Sequence, residues 1–186
     1  MRKVLASLKP YYYYLVGEGI KTIEVRKNMP KASDWDKEVL FYMSKDVKSF
    51  AKIPKEFQEK YRKHFGKVGI QFVCDWITKI TPHCDIKGCV NQYIHAYPAI
   101  LGENDCLSFQ EMKAYLGNRN GYDWHISELK IYDEPKELNE FIKYMDCKNT
   151  YDCCACHNWS RLDLKCIAMN NEVKRPPQSW CYVEKE

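Results

Sequence analysis

The chain has 186 residues, 45% of them hydrophobic and 14% aromatic, with 29 Lys+Arg against 25 Asp+Glu. That length and apolar content suit one domain with a sizeable core and exclude a disordered or collagen-like chain. No apolar run approaches the roughly 18 residues of a membrane helix, and the basic N-terminus breaks its apolar stretch too early for a secretory leader, so a soluble, cytoplasmic protein is expected. Charge is unevenly spread: residues 1–67 carry 16 Lys+Arg against 8 Asp+Glu, and the remainder 13 against 17. A basic N-terminal part points to an anionic partner there, nucleic acid or a nucleotide being commonest. The alternative is a Lys-rich solvated surface.

Val4, Ala6 and Leu8 alternate with largely polar neighbours, predicting a short first strand that ends at Lys9-Pro10. Pro10 suits the first turn of a helix carrying Tyr11 to Val16 and closed by Gly17 or Gly19. Lys21-Thr-Ile-Glu-Val-Arg26 reads as a second strand with Thr22, Glu24 and Arg26 on one face. Val39-Leu-Phe-Tyr-Met43 has no polar interruption and predicts a third strand buried on both faces. Phe57, Tyr61 and Phe65 fall at i, i+4 and i+8 of a helix opened by Pro54 and stopped by Gly66. Val68, Ile70, Phe72, Cys74 and Trp76 alternate as one long strand, with Cys74 buried and inert. Ser108-Phe-Gln-Glu111 is a capping box for a helix through Leu116, ended by Gly117. Trp124–Tyr132 reads as another strand. Pro135–Met145 reads as a helix with Leu138, Phe141, Ile142 and Met145 inward, and Ser179–Val183 as a closing strand. Six short strands with helices between them, and no βαβ rhythm, predict an α+β fold built on a small mixed β-barrel. No Gly-rich phosphate loop, Gly-x-Ser-x-Gly elbow or His-Glu-x-x-His helix is present.

Lys21, Glu24 and Arg26 form the motif with the clearest chemistry. A lysine supplies a point charge for phosphate and an arginine a planar fork. Glu24, on the face of Arg26, can fix the guanidinium or accept from a base amino group or sugar hydroxyl. The competing reading is an ion pair on the barrel rim that only orders the strand. The tyrosines at 11–14 offer stacking faces for a base, although helical spacing puts most of them in the core. Trp124 and His125 are weaker candidates, a strand tryptophan being usually core.

The order strand, Lys-Pro, aromatic helix, Gly-Glu-Gly, then Lys21-x-x-Glu24-x-Arg26 resembles the start of ASCH domains. The resemblance continues through Phe41-Tyr-Met-Ser44, Gly66-Lys-Val-Gly69 and Trp124-His-Ile-Ser-Glu-Leu-Lys130. The ending Arg175-Pro-Pro-Gln-Ser-Trp-Cys-Tyr-Val183 is similar to the closing strand of phage and bacterial relatives. The resemblance implies a PUA-like barrel whose cleft recognises RNA, single-stranded nucleic acid or a nucleotide. Carried over residue by residue, it places Lys9, Lys21, Glu24, Arg26, Ser44 and Lys45 at the site, with Gln178 and Ser179 as weaker additions. It also implies two rivals: a nucleoside or RNA hydrolase using the same cleft, and a phage-encoded protein that sequesters a nucleotide or inhibits a host protein. The amidohydrolase branch of that family uses a Lys base, a Thr nucleophile and a Glu proton donor. Here Glu24 stands where the threonine would be, so no deacylation of N4-acylated cytidine is expected. If any residues carry catalysis, they are Lys21 and Glu24.

Ten cysteines in a chain read as intracellular point away from a disulfide framework. Cys147, Cys153, Cys156 and Cys166 fall within 20 residues, and the Cys-x2-Cys step suits two thiolates on one Zn²⁺. The surrounding segment has little apolar content, so a structural zinc is the expected staple. Cys154 or His157 can replace one of the four ligands. The alternative is a cluster of reduced thiols. His83, Cys84 and Cys89 form a sparser group. The expected layout is one domain over 1–186, with a helical insertion over 84–122 and the Cys-rich loop over 146–167.

Overall fold

A computed structural model of the chain describes residues 2–31, 37–84, 88–95, 104–143 and 172–184. Its order is β1 (Arg2–Leu8), α1 (Pro10–Gly17), β2 (Ile23–Arg26), β3 (Glu38–Met43), α2 (Val47–Phe50), α3 (Lys55–Arg62) and β4 (Val68–Val73). Then follow β5 (Ile77–Cys84), β6 (Val90–His95), α4 (Phe109–Leu116), β7 (Gly121–His125), β8 (Ser127–Lys136), a 3₁₀ turn at Leu138–Glu140, and β9 (Trp180–Glu184). The strands form two open sheets, a five-stranded one ordered β8-β4-β3-β1-β9 and a four-stranded one ordered β2-β7-β5-β6. The α+β class is the expected one; among the described residues the sheets do not close on each other into a full barrel. No helix among them is long and apolar enough to cross a membrane.

The uninterrupted run in β3 behaves as its composition dictates. Val39, Phe41 and Met43 enter one core cluster with the α1 aromatics, while Leu40 and Tyr42 enter a second on the opposite face with Leu5, Val68, Phe141, Val173 and Val183. β3 pairs in parallel with β1 and antiparallel with β4. Pro10 opens α1 as expected, and Tyr13 and Tyr14 bury against the sheet while Tyr11 and Tyr12 stay at its margin. A third cluster, Val25, Ile80, Val90, Tyr93, Met112 and Leu116, holds α4 against the four-stranded sheet. The Ser108 capping box forms as predicted, and Gly117 ends the helix at φ +60.

Four expectations about the elements need correction. The strand expected from Val68 to Trp76 stops at Val73: Cys74 N–H bonds the Lys37 carbonyl, and the chain then joins the other sheet as β5. The strand expected over Trp124–Tyr132 is two strands in different sheets, divided at Ile126, whose N–H bonds the Thr22 carbonyl. Glu128, just after the break, takes a positive φ of 47. At the first of these corners the alternation of Phe72, Cys74 and Trp76 runs on unbroken, so period-2 patterning cannot reveal it, whereas at the second the apolar phase steps from Trp124 and Ile126 to Leu129 and Ile131. The helix expected over Pro135–Met145 does not form in its described part. β8 instead runs on through Lys136, and after the 3₁₀ turn Ile142 and Lys143 make isolated bridges to Glu172 and Val183. Leu138 and Phe141, three apart, still pack together against the core, because a 3₁₀ turn also puts i and i+3 on one side. The segment 84–122 carries strand β6 as well as helix α4.

Candidate functional site

The two sheets and α4 enclose a cleft of about 890 Å³. The end of β1 supplies Ser7, Leu8 and Lys9; the first turn of α1 supplies Tyr11 and Tyr12; Lys21 and β2 supply Lys21, Glu24, Val25 and Arg26. The segment around α2 adds Ser44, Asp46, Lys48, Ser49 and Lys52. Leu107, Glu111, Ala114 and Tyr115 line the α4 side, and Gln178 closes the far end.

Lys21, Glu24 and Arg26 meet at the base of this cleft, and all three are nearly inaccessible, at 1%, 5% and 4% exposure. Glu24 lies between the two cations, with Oε2 3.4 Å from Lys21 Nζ and Oε1 3.0 Å from Arg26 Nε. The Arg26 Nε proton is out of line with that oxygen, so the contact is an ion pair without an aligned hydrogen bond. Lys21 Nζ also donates to the carbonyls of Ile23 (2.6 Å) and Asp105 (2.5 Å). Two hydrogen bonds and the ion pair with Glu24 thus hold the ammonium in place. Arg26 donates through Nη1 to the Ser179 carbonyl (3.1 Å) and through Nη2 to the Ser7 carbonyl (2.9 Å). Because β2 belongs to one sheet while Ser7 and Ser179 flank the other, Arg26 fastens the two sheets together. Three of its five N–H groups make no hydrogen bond, the Nε proton beside Glu24 and one on each Nη, and Glu24 keeps spare lone pairs.

The α4 wall is held by its own network. Asn104 accepts at its carbonyl from Thr22 N–H and Ile23 N–H, and its own N–H donates to Thr22 Oγ1 (2.9 Å). Glu111 Oε2 accepts from Ser108 N–H and Oγ, while Oε1 accepts from Tyr12 Oη at 2.7 Å. The Ser108 N–H first, then its hydroxyl and that of Tyr12, hold the Glu111 carboxyl below its ordinary range. Burial, followed by the Glu111 bond, pushes the Tyr12 phenol well up, so it stays a neutral donor. Burial likewise raises Tyr115.

Of the eight ligand residues expected from sequence, Lys9, Lys21, Glu24, Arg26, Ser44 and Gln178 line the cleft. Lys45 is not among the lining residues; its stem covers Gly66, where a Cβ would stand 2.3 Å from Lys45 Cε. Ser179 contributes only its carbonyl to Arg26. The two cations are brought together, but much of their capacity is spent on the fold, through a buried ion pair and not the exposed rim pair of the competing reading. Tyr11 and Tyr12 reach the cleft while Tyr13 and Tyr14 are core, and Trp124 is fully buried. His125 stacks on Trp76 at 4.7 Å and bonds Asp75 outside the cleft. Sequence reading missed Lys48, Lys52, Glu111 and Tyr115 as site residues. The i, i+4 spacing of Lys48 and Lys52 after the Asp46 cap was the signal available for two of them. His83, Cys84 and Cys89 are exposed, and among the described residues no three His, Cys, Asp or Glu side chains gather to hold a metal. The expected zinc ligands Cys147, Cys153, Cys156 and Cys166 lie outside the described residues.

Two open sheets that meet over a buried Lys-Glu-Arg cluster form an ASCH-like fold. The chain is similar to the ASCH protein of Zymomonas mobilis, with a TM-score of 0.54 over 98% of this chain and 88% of that one, at 17% identity. Two crystal structures of variants of that protein, a Tyr-to-Phe and a Ser-to-Ala substitution, match at TM-scores of 0.53 and 0.52 and at 17% and 16% identity. They cover 98% of this chain and 91% and 89% of theirs. No family model and no curated protein matches the sequence.

Proposed function

We propose that the cleft binds a base of RNA, of single-stranded nucleic acid or of a free nucleotide. The observation that carries this reading is the combination of Tyr11, Tyr12 and Tyr115 on the walls with Glu24 and Arg26 below them. Tyrosine faces stack on any base, at about 1–3 kcal/mol each. Glu24 then offers an acceptor and Arg26 two unspent donors to the base edge, which gives the cleft a preference among bases. Water-poor surroundings strengthen both contacts. Lys21 acts differently from the sequence expectation: its protons are engaged, and it holds Glu24 and the Asn104–Leu107 segment in place. The cleft volume lies within the range of small-molecule sites.

The reading is tested by melting the full chain with ribonucleosides, ribonucleotides and short single-stranded RNAs. A ligand at 100 times its Kd stabilises the folded state by about 2.7 kcal/mol. Tyr115→Ala should remove the shift while leaving the unliganded protein folded. A shift unchanged in that variant would move the site elsewhere on the surface.

A further inference from the structure

We infer that the cleft takes a phosphorylated ligand, with the phosphate held at its mouth by Lys9, Lys48 and Lys52. The inference rests on the base-binding reading above and narrows it from nucleosides to nucleotides. Lys9 follows β1 directly and is the N-cap residue of α1, Lys48 is in α2, and Lys52 lies two residues past that helix. Lys52 follows in the turn that closes α2, its N–H bonded to the Ser49 carbonyl at 3.2 Å. All three are exposed yet line the cleft, whereas Lys21 and Arg26 are buried below.

The carboxylates in the same walls are already occupied. Asp46 Oδ1 caps α2 by accepting from Ser49 N–H at 3.0 Å. Both Glu111 oxygens accept from Ser108 and Tyr12, and Glu24 is held between Lys21 and Arg26. Among the described residues no ion pair joins Lys9, Lys48 or Lys52 to an acid. The lining therefore carries five cations, Lys9, Lys21, Arg26, Lys48 and Lys52, against three carboxylates, Glu24, Asp46 and Glu111. This leaves an excess of two positive charges, and the three lysines that make no ion pair are the exposed ones. A phosphate monoester carries about −1.5 to −2 at pH 7. Three flexible ammonium groups are suited to such a group as point charges, and they do not demand the planar geometry of an arginine fork. A neutral nucleoside would leave the two-charge excess of the lining uncompensated.

The test compares adenosine, guanosine, cytidine and uridine with their 5′-monophosphates by calorimetric titration of the full chain, with inorganic phosphate and dinucleoside monophosphates alongside. At least one monophosphate should bind about tenfold or more tightly than its own nucleoside. In Lys48→Gln/Lys52→Gln that ratio should collapse towards one, with nucleoside affinity and melting temperature unchanged. Dinucleoside monophosphates matching the mononucleotides would support the subsite and assign its phosphate to an RNA chain; weaker binding would support it and assign a free nucleotide. Equal affinity for nucleoside and nucleotide, or a ratio that survives the double substitution, would overturn the lysine subsite and leave base binding standing. Absence of binding by every nucleoside, nucleotide and dinucleotide would overturn both.

Discussion

Arg26→Ala separates a structural clasp from a surface cation. In the folded chain the guanidinium is 4% exposed, donates to the Ser7 and Ser179 carbonyls, and touches Glu24 at 3.0 Å. Removing it leaves Glu24 compensated by Lys21 alone. The Ser7 carbonyl loses this donor, while the Ser179 carbonyl keeps only the 3.4 Å bond from Ser7 N–H. Breaking a buried, hydrogen-bonded ion pair from one side costs about 3–5 kcal/mol. That is a large share of the roughly 5–15 kcal/mol by which single domains are stable. Arg26→Lys should recover part of the loss, since it restores the charge and one bond without the two-pronged reach. Urea unfolding followed by fluorescence reads these differences directly as midpoint shifts at constant slope. A loss below about 1 kcal/mol for Arg26→Ala would refute the clasp, because that is the scale of an exposed pair.

Three further expectations concern pH, chemistry and metal. His64, 1% exposed with Nδ1 3.1 Å from Tyr13 Oη, is lowered to a pKa of about 4, by burial first and then by Lys63 and Lys60. Its stabilising contribution is complete above the unfolded value near 6.5 and is lost as pH falls towards 4. Wild type should therefore lose about 2.5 kcal/mol more than His64→Gln between pH 7.5 and 4.5, and equal pH dependence would contradict this. Lys21, bonded to two carbonyls and paired with Glu24, is poorly placed as a general base, so N4-acetylcytidine should not be deacylated; acetate release abolished in Lys21→Ala would show otherwise. From the Cys147, Cys153, Cys156 and Cys166 spacing, elemental analysis should find one zinc per chain, and ten freely reactive thiols without metal would end that expectation.

Local signals in the sequence were reliable where local forces decide the outcome. Pro10, the Ser108–Glu111 box and the apolar run at Val39–Met43 specify α1, α4 and a doubly buried β3 without help from distant residues. The Lys21-x-x-Glu24-x-Arg26 spacing also sufficed to bring three charges together. Their burial was not legible, because the acceptors that engage them are backbone carbonyls of Ser7, Asp105 and Ser179, far along the chain and without a sequence signature. The corner at Ile126 left a local trace, the apolar phase stepping from Trp124 and Ile126 to Leu129 and Ile131, but the change of sheet is fixed by a long-range bond to Thr22. Lys48 and Lys52 carried a visible helical spacing, but their relation to Tyr12 and Tyr115 depends on how α2 and α4 converge on one cleft.

The most direct measurement is a crystal structure of the full chain soaked in ribonucleoside 5′-monophosphates. Base binding in the cleft predicts density for a base beside Tyr12 and Tyr115, with its edge on Glu24 and Arg26. Nucleotide density seated elsewhere, with the Glu24–Arg26 cleft holding solvent alone, would contradict it.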